Sequence, residues 1–115
     1  MADIVDDKKP RQITVGGQTY SVDNLPDELD VPLRKPVVIG DQTYDTLKLR
    51  EPTAGEFDRM AKAATSSGSG ALLQLIADVS GLALPVIKKI GVRDMNEAGE
   101  YLMGFIQPGQ TMQIS

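Results

Sequence analysis

Two short stretches of the chain share one frame, VGGQTY at residues 15–20 and IGDQTY at residues 39–44. In both, β-branched residues lead into a two-residue centre with glycine, and Gln-Thr-Tyr leads out. Such a centre favours the turn types whose twist joins two antiparallel strands. The sequence therefore predicts two β-hairpins. The second is the stronger prediction, because its outgoing strand continues through Tyr44, Leu47 and Leu49.

The alternative to a turn is a reactive loop, because peptide release factors use a Gly-Gly-Gln tripeptide for hydrolysis and residues 16–18 have that composition. The second copy keeps the frame but has Asp41 in place of the second glycine. A turn tolerates this change more readily than a specific catalytic backbone would, so a turn is indicated in both copies. The sequence leaves open whether the hairpins pair or only the second is ordered, since an isolated hairpin is marginal in water.

A proline-punctuated acidic connector joins the two predicted hairpins. Its sequence, NLPDELDVPLRKP at residues 24–36, is interpreted as irregular or extended. Pro36 is expected to bound the incoming strand of the second hairpin, because proline cannot donate a hydrogen bond within a sheet.

Helix signals begin directly after the second hairpin. Thr53 and Glu56 have the spacing of a capping box, so a helix is predicted to start after Pro52. Four apolar residues then share one face at helical spacing: Phe57, Met60, Ala61 and Ala64. The stretch TSSGSG at residues 65–70 is interpreted as a flexible link that ends this helix.

Further helical segments are predicted downstream. Residues 71–80 are apolar on most faces and are followed by a glycine that can cap a helix. Residues 84–91 have proline in the first turn and two lysines near the end. A last helix is expected to begin near Asp94, which stands three residues before an acid as a capping residue would, and to end before Pro108.

These elements predict an α+β fold, with one or two small antiparallel hairpins followed by three to four short helices. The length of 115 residues favours a single domain over residues 1–115. Within it, the hairpin region is expected at residues 13–52 and the helical region at residues 53–106. Residues 1–12 and 107–115 are expected to be loose, because both ends are polar or charged and contain proline.

The chain contains neither cysteine nor histidine. It therefore lacks thiolate nucleophiles, zinc–sulfur sites and the usual general base near neutral pH. An enzyme would depend on clustered carboxylates, with Asp27, Glu28 and Asp30, or Glu97 and Glu100, as the candidates. The first group is expected in a loop and the second on an exposed helix face. The prediction is a protein that is not an enzyme and has no cofactor and no metal.

Charge is unevenly distributed along the chain. The net charge is −4, which argues against general binding of nucleic acid. The acidic residues are concentrated in the first half, and the second half is nearly neutral and more apolar. This asymmetry is typical of a solubilising half beside a contact-making half, although a charged surface around a helical core explains it equally well. No signal peptide and no membrane span are expected, so a cytoplasmic protein is predicted.

The segment KPVVIGDQTYDTLKLREPTAGEFDRM, at residues 35–60, resembles a family of phage tail assembly chaperones found in Mu-like and related contractile-tailed temperate phages. The downstream residues 71–105 are similar to that family in their layout of helices. The resemblance covers residues 33–106, and residues 1–32 lie outside it. The matching positions are Leu33, Pro36, Gly40, Tyr44, Leu47, Leu49, Arg50, Glu51, Pro52 and Thr53.

The resemblance implies a non-enzymatic role. Such proteins hold the long tape measure protein while tail tube subunits polymerise around it, and they are generally absent from the finished particle. The implied partners are the tape measure protein, the tail tube subunits and a longer, frameshifted form of the chain itself, with a homo-oligomer left open. The implied location is the cytoplasm of the infected or lysogenic bacterium.

Six apolar helix residues form the predicted partner-binding face: Leu72, Leu75, Ile76, Val79, Leu102 and Phe105. The alternative for these residues is that they simply form the core, and the sequence favours that alternative. A rival function from a different class is a structural component of the virion, such as a tail-completion or head–tail connector protein. Length, charge and the lack of cysteine fit it equally well.

Overall fold

Residues 11–106 are described by the computed structural model, except for the side chains of Ser67 and Ser69. They form two antiparallel hairpins followed by four α-helices, which confirms the predicted α+β class. Most of the two segments predicted to be loose lies outside these residues. The strands are β1 (Gln12–Val15), β2 (Gln18–Ser21), β3 (Glu28–Ile39) and β4 (Gln42–Arg50). The helices are α1 (Ala54–Ser67), α2 (Ser69–Ser80), α3 (Leu84–Ile87) and α4 (Val92–Gly104).

The two copies of the repeated frame form turns of different geometry. Gly16 and Gly17 have φ values of 61° and 83°, and two consecutive positive values define a type I′ turn. In the second copy Gly40 has a φ of 59°, whereas Asp41 keeps a negative φ, as type II′ requires. The second glycine is therefore needed only in the first copy. The hairpins do not pair with each other, because β1–β2 and β3–β4 form separate two-stranded sheets.

The predicted connector is largely a strand. β3 begins at Glu28 and pairs with β4 from that residue onward, so the extended alternative is the one the structure adopts. The register shifts between Pro32 and Val37, which leaves four residues of β3 opposite Asp45 alone. Pro36 therefore lies within this bulge and does not bound the strand, since a bulge accepts a residue that cannot donate to the ladder.

The N-terminal half of α4 fastens this bulge and the first hairpin to the helical region. Asp94, which is only 1% exposed, accepts a hydrogen bond from the Arg34 amide at 2.9 Å. Glu97 accepts the Gly16 amide at 2.9 Å through Oε1 and pairs through Oε2 with the Arg34 guanidinium. The prediction of Asp94 as a helix cap was wrong. Helix α4 begins at Val92, and the Asp94 carboxylate binds the β3 bulge. We call Asp94, Glu97 and their contacts to Arg34 and Gly16 the α4 clamp.

The start of α1 is fixed by a network around Glu56. The predicted capping box is present, since the Glu56 amide donates to Thr53 Oγ1 at 3.1 Å and the Thr53 amide donates to Glu56 Oε1 at 2.9 Å. Arg50, the last residue of β4, donates to both carboxylate oxygens of Glu56, at 2.9 and 2.8 Å. Its guanidinium also lies 3.4 Å from the carbonyl oxygen of Asp78 on α2. The LREPT run at residues 49–53 thus connects the second hairpin to helices α1 and α2.

The predicted flexible link is a one-residue break between two helices. α1 continues through Ser67 and α2 starts at Ser69, so only Gly68 interrupts the helical backbone. Its φ of 56° and ψ of −123° suit glycine far better than residues with a Cβ. Because a single residue separates the helices, α1 and α2 pack against each other as a hairpin.

One core joins the hairpins to the helices. Residues Leu47 and Leu49 alternate toward the helices along β4, as the period of a strand requires. Helix α2 packs on β4, and α4 packs on β1, β3 and β4. The Cβ that an alanine at Gly104 would add lies 2.7 Å from Leu25 Cδ1, so α4 and the segment after the first hairpin approach closely at that point. The first hairpin is therefore an integral part of the fold.

We expect Glu56→Gln to lower the free energy of unfolding by about 1–2 kcal/mol at pH 7, because it removes a charge-assisted pair while retaining a side chain that can cap the helix. The Arg50 guanidinium, followed by the Thr53 amide, lowers the pKa of Glu56 from 4.5 to about 2. A lowered pKa stabilises the fold above the unfolded value and loses that effect as pH falls. The difference between the wild type and the variant should therefore shrink from pH 5 to pH 2.

Chemical denaturation across this pH range measures the effect. Asp58→Asn is the matched control, because Asp58 pairs with Lys62 on the solvent-exposed side of the same helix. It should change the stability by less than about 0.5 kcal/mol. A Glu56→Gln effect that does not depend on pH would contradict the assigned pair.

Candidate partner-binding surface

Four of the six residues predicted as a binding face lie in the core. Leu75, Ile76 and Leu102 are at most 1% exposed and Val79 is 6% exposed. They belong to one hydrophobic core, where α2 packs on β4 and α4 packs on β1, β3 and β4. Any contact of these four with a partner would require the core to open. These four residues therefore lie where the alternative interpretation, a role in the core, expected them.

The other two predicted residues are partly exposed, and they lie in different places. Leu72 lies against α4, where a Cβ on Gly99 would be 3.1 Å from Leu72 Cδ2. Phe105 lies at the C-terminal end of α4 and lines an open groove. Of the six candidates, Phe105 alone lines this groove.

This groove runs between the start of α1 and the end of α4. Phe57 and Phe105, the two phenylalanines of the chain, both line it and both are partly exposed. The complete lining is Glu51, Pro52, Thr53, Ala54, Phe57, Phe105 and Ile106. We call it the Phe57–Phe105 groove. The sequence showed Phe57 only as part of a helix face, and no local pattern pairs it with Phe105.

Tyr101 determines where Phe105 lies. The two rings are 5.1 Å apart and meet edge to face at 84°, an arrangement that aromatic quadrupoles favour. Tyr101 is fully buried, and its hydroxyl donates to the Pro26 carbonyl oxygen at 2.7 Å. This bond also fixes the segment that leads into β3, which we call the base of the second hairpin. Tyr101 therefore contacts both this base and Phe105 in the groove.

Three carboxylates surround this base. The Glu51 amide donates to the Asp27 carbonyl oxygen at 2.9 Å, and Glu28 is the first residue of β3. Burial, and then the charges of Asp27, Glu51 and Glu28, raise the pKa of Tyr101 to about 12. None of the three carboxylates forms an ion pair within 4.0 Å with a lysine or arginine among residues 11–106. One rim of the groove is therefore negatively charged.

The two groups of carboxylates considered for catalysis lie only partly where the sequence predicted them. Asp27, Glu28 and Asp30 are exposed, but Glu28 and Asp30 lie in strand β3 and not in the expected loop. Glu97 is partly buried in the α4 clamp and does not lie on an exposed helix face, whereas Glu100 is exposed. Within the described part of the chain, no group of three or more acidic residues is placed to hold a metal ion. A second groove, between the β3 bulge and α4, is lined mainly by charged side chains, including Arg34, Lys35 and Arg93.

The comparison with protein families decides the identity. Residues 30–107, more than half of the chain, match the family described as "Phage tail assembly chaperone proteins, E, or 41 or 14". The chain belongs to this family of phage tail assembly chaperones. The match confirms the resemblance seen over residues 33–106. Neither the search of curated proteins nor that of solved structures returned a match.

The family segment contains both sides of the Phe57–Phe105 groove and the β3–β4 hairpin from Asp30 onward. The first hairpin lies outside that segment, although the chaperone fold places it against α4. None of the helices among the described residues is long and apolar enough to span a membrane.

We expect Tyr101→Phe to lower the free energy of unfolding of this chaperone by about 1–2 kcal/mol, because the Pro26 carbonyl loses its donor. A raised tyrosine pKa stabilises the fold below the unfolded value of 10 and loses that effect as pH rises toward 12. The cost of the substitution should therefore be constant up to about pH 10 and then shrink. Urea denaturation at pH 7 to 11.5 measures it.

Tyr44→Phe is the control, since the Tyr44 hydroxyl makes no hydrogen bond with any described residue. Its effect should stay within about 0.5 kcal/mol. Equal costs for the two substitutions would refute the role given to Tyr101.

Proposed function

We propose that this chaperone binds the tape measure protein of its phage and keeps it soluble while the tail tube assembles, without catalysing a reaction. Membership of the tail assembly chaperone family supports the general role. The observation that carries the specific one is the Phe57–Phe105 groove, where both phenylalanines remain partly exposed beside a charged rim.

The unassembled partner needs protection from aggregation. A long helical protein exposes apolar stripes before the tube encloses it, and such stripes aggregate. A groove that covers one stretch of stripe at a time binds weakly, so several chaperone molecules can hold the chain and tube subunits can still displace them. The acidic surface of the complex then keeps it in solution. This role places the protein in the bacterial cytoplasm and leaves it out of the mature particle.

Co-expression tests the proposal. The tape measure protein of the same phage should be largely insoluble alone and largely soluble when this chain is co-expressed, and the two should co-purify. A tape measure protein that remains insoluble with an excess of the folded chain would refute the proposal.

The rival function, a structural component of the tail or head–tail connector, predicts a different composition of the particle. Quantitative mass spectrometry of purified virions should find this chain absent or far below one copy per particle. A stoichiometric amount in virions would favour the rival.

A further inference from the structure

We propose that the Phe57–Phe105 groove binds one or two turns of an amphipathic helix in which a large apolar side chain is followed, three or four residues away, by lysine or arginine. This inference rests on the proposed function and assigns its contact surface and the chemistry of the segment recognised. The apolar residue would lie between the two phenylalanine rings, and the basic residue would reach the acidic rim.

Phe57 contributes a large apolar side chain to the groove. It lies in the first turn of α1 and is absent from the residues that form the core or pack against it. Phe105 packs against the core through Tyr101, and the other apolar residues that line the groove are Pro52, Ala54 and Ile106. An aromatic pair that is partly exposed in a concave site offers the anchor that binding of a helix requires.

The preference for a basic residue comes from four sources of negative charge around the groove: three carboxylates and the C-terminal end of α4. Glu51 lines the groove, and Asp27 is bonded to it through the backbone. Neither has an ion-pair partner among residues 11–106, and Glu28 lies beside them. The last turn of α4 carries no basic residue, so its terminal carbonyl groups add partial negative charge near Phe105. A cation on the bound helix would be attracted by this negative charge.

No lysine or arginine among residues 11–106 lines the groove itself. Arg50 is the nearest basic residue along the chain, and its guanidinium is engaged by Glu56. A helix with an acidic residue facing the Glu51 side of the groove would therefore meet repulsion from that carboxylate. The charge pattern selects among apolar helices, which a purely hydrophobic groove would not do.

The experiment uses overlapping 20-residue peptides that cover the tape measure protein, with binding to the full-length chaperone measured by fluorescence anisotropy. We expect the bound peptides to share an apolar residue with lysine or arginine three or four positions away. Phe57→Glu should weaken their binding about tenfold or more, and the fold should tolerate it because acidic residues suit the first turn of a helix. Glu51→Lys should weaken binding by about two- to fivefold and reduce its dependence on salt.

Matched controls lie at the tip of the β3–β4 hairpin, away from the groove. Val38→Glu changes an exposed apolar residue, and Asp41→Lys reverses an exposed charge. Both should bind the peptides as the wild type does. Circular dichroism and thermal denaturation of each variant establish that it is folded. Equal binding by folded Phe57→Glu and the wild type would overturn the inference, as would bound peptides without a basic residue near the anchor.

Two other occupants of the groove are outcomes of the same experiment. A peptide of residues 107–115 that displaces the bound tape measure peptides would identify the chain's own C-terminal segment as the occupant and overturn the inference. A change from oligomer to monomer in Phe57→Glu, measured by sedimentation, would identify a second copy and overturn it too.

The proposed function and this inference fail separately. If the wild type keeps the tape measure protein soluble and folded Phe57→Glu does so equally well, the function stands and the groove is wrong. If the wild type does not keep it soluble, the function itself is wrong.

Discussion

The α4 clamp is the interaction on which the rest of the structure depends. One carboxylate, that of Glu97, holds the turn of the first hairpin and the bulge of the second, while the neighbouring Asp94 binds the bulge backbone. Two small hairpins that do not pair with each other have little stability of their own. Their common attachment to one helix turns them into one side of a shared core. The Gly-Gly-Gln stretch at residues 16–18 is part of this attachment, because the Gly16 amide donates a hydrogen bond to Glu97.

The position of the candidate binding groove follows from the same arrangement. With its N-terminal half held by the hairpins, α4 brings Tyr101 under the base of the second hairpin and Phe105 beside the first turn of α1. The network of Arg50 and Glu56 fixes that first turn from the other side. The LREPT run at residues 49–53 therefore acts as a structural junction, and the groove that it borders is the surface through which we propose the chaperone works.

Local patterns predicted much of this fold. The two turns, the capping box at Thr53 and the glycine cap at Gly81 depend on neighbouring residues, so the sequence shows them directly. The features that it did not show depend on distant residues. Pro36 was predicted to bound a strand, because its local sequence does not show that α4 holds a bulge around it. Asp94 was predicted to cap a helix, because its partner, Arg34, lies far away along the chain. The predicted binding face had the same weakness, since four of its six residues face other elements in the core. Phe57 and Phe105 come together only through the tertiary fold.

The most direct measurement of the clamp is hydrogen exchange of the Gly16 amide in Glu97→Ala, compared with Glu100→Ala, a change at an exposed residue of the same helix. Glu97 is the only partner of that amide among the described residues. The account predicts that exchange at Gly16 becomes about tenfold faster or more in Glu97→Ala, relative to the amide of Leu47 in the core, and stays unchanged in Glu100→Ala. An unchanged rate at Gly16 in Glu97→Ala would contradict the claim that this carboxylate holds the first hairpin to the helical region.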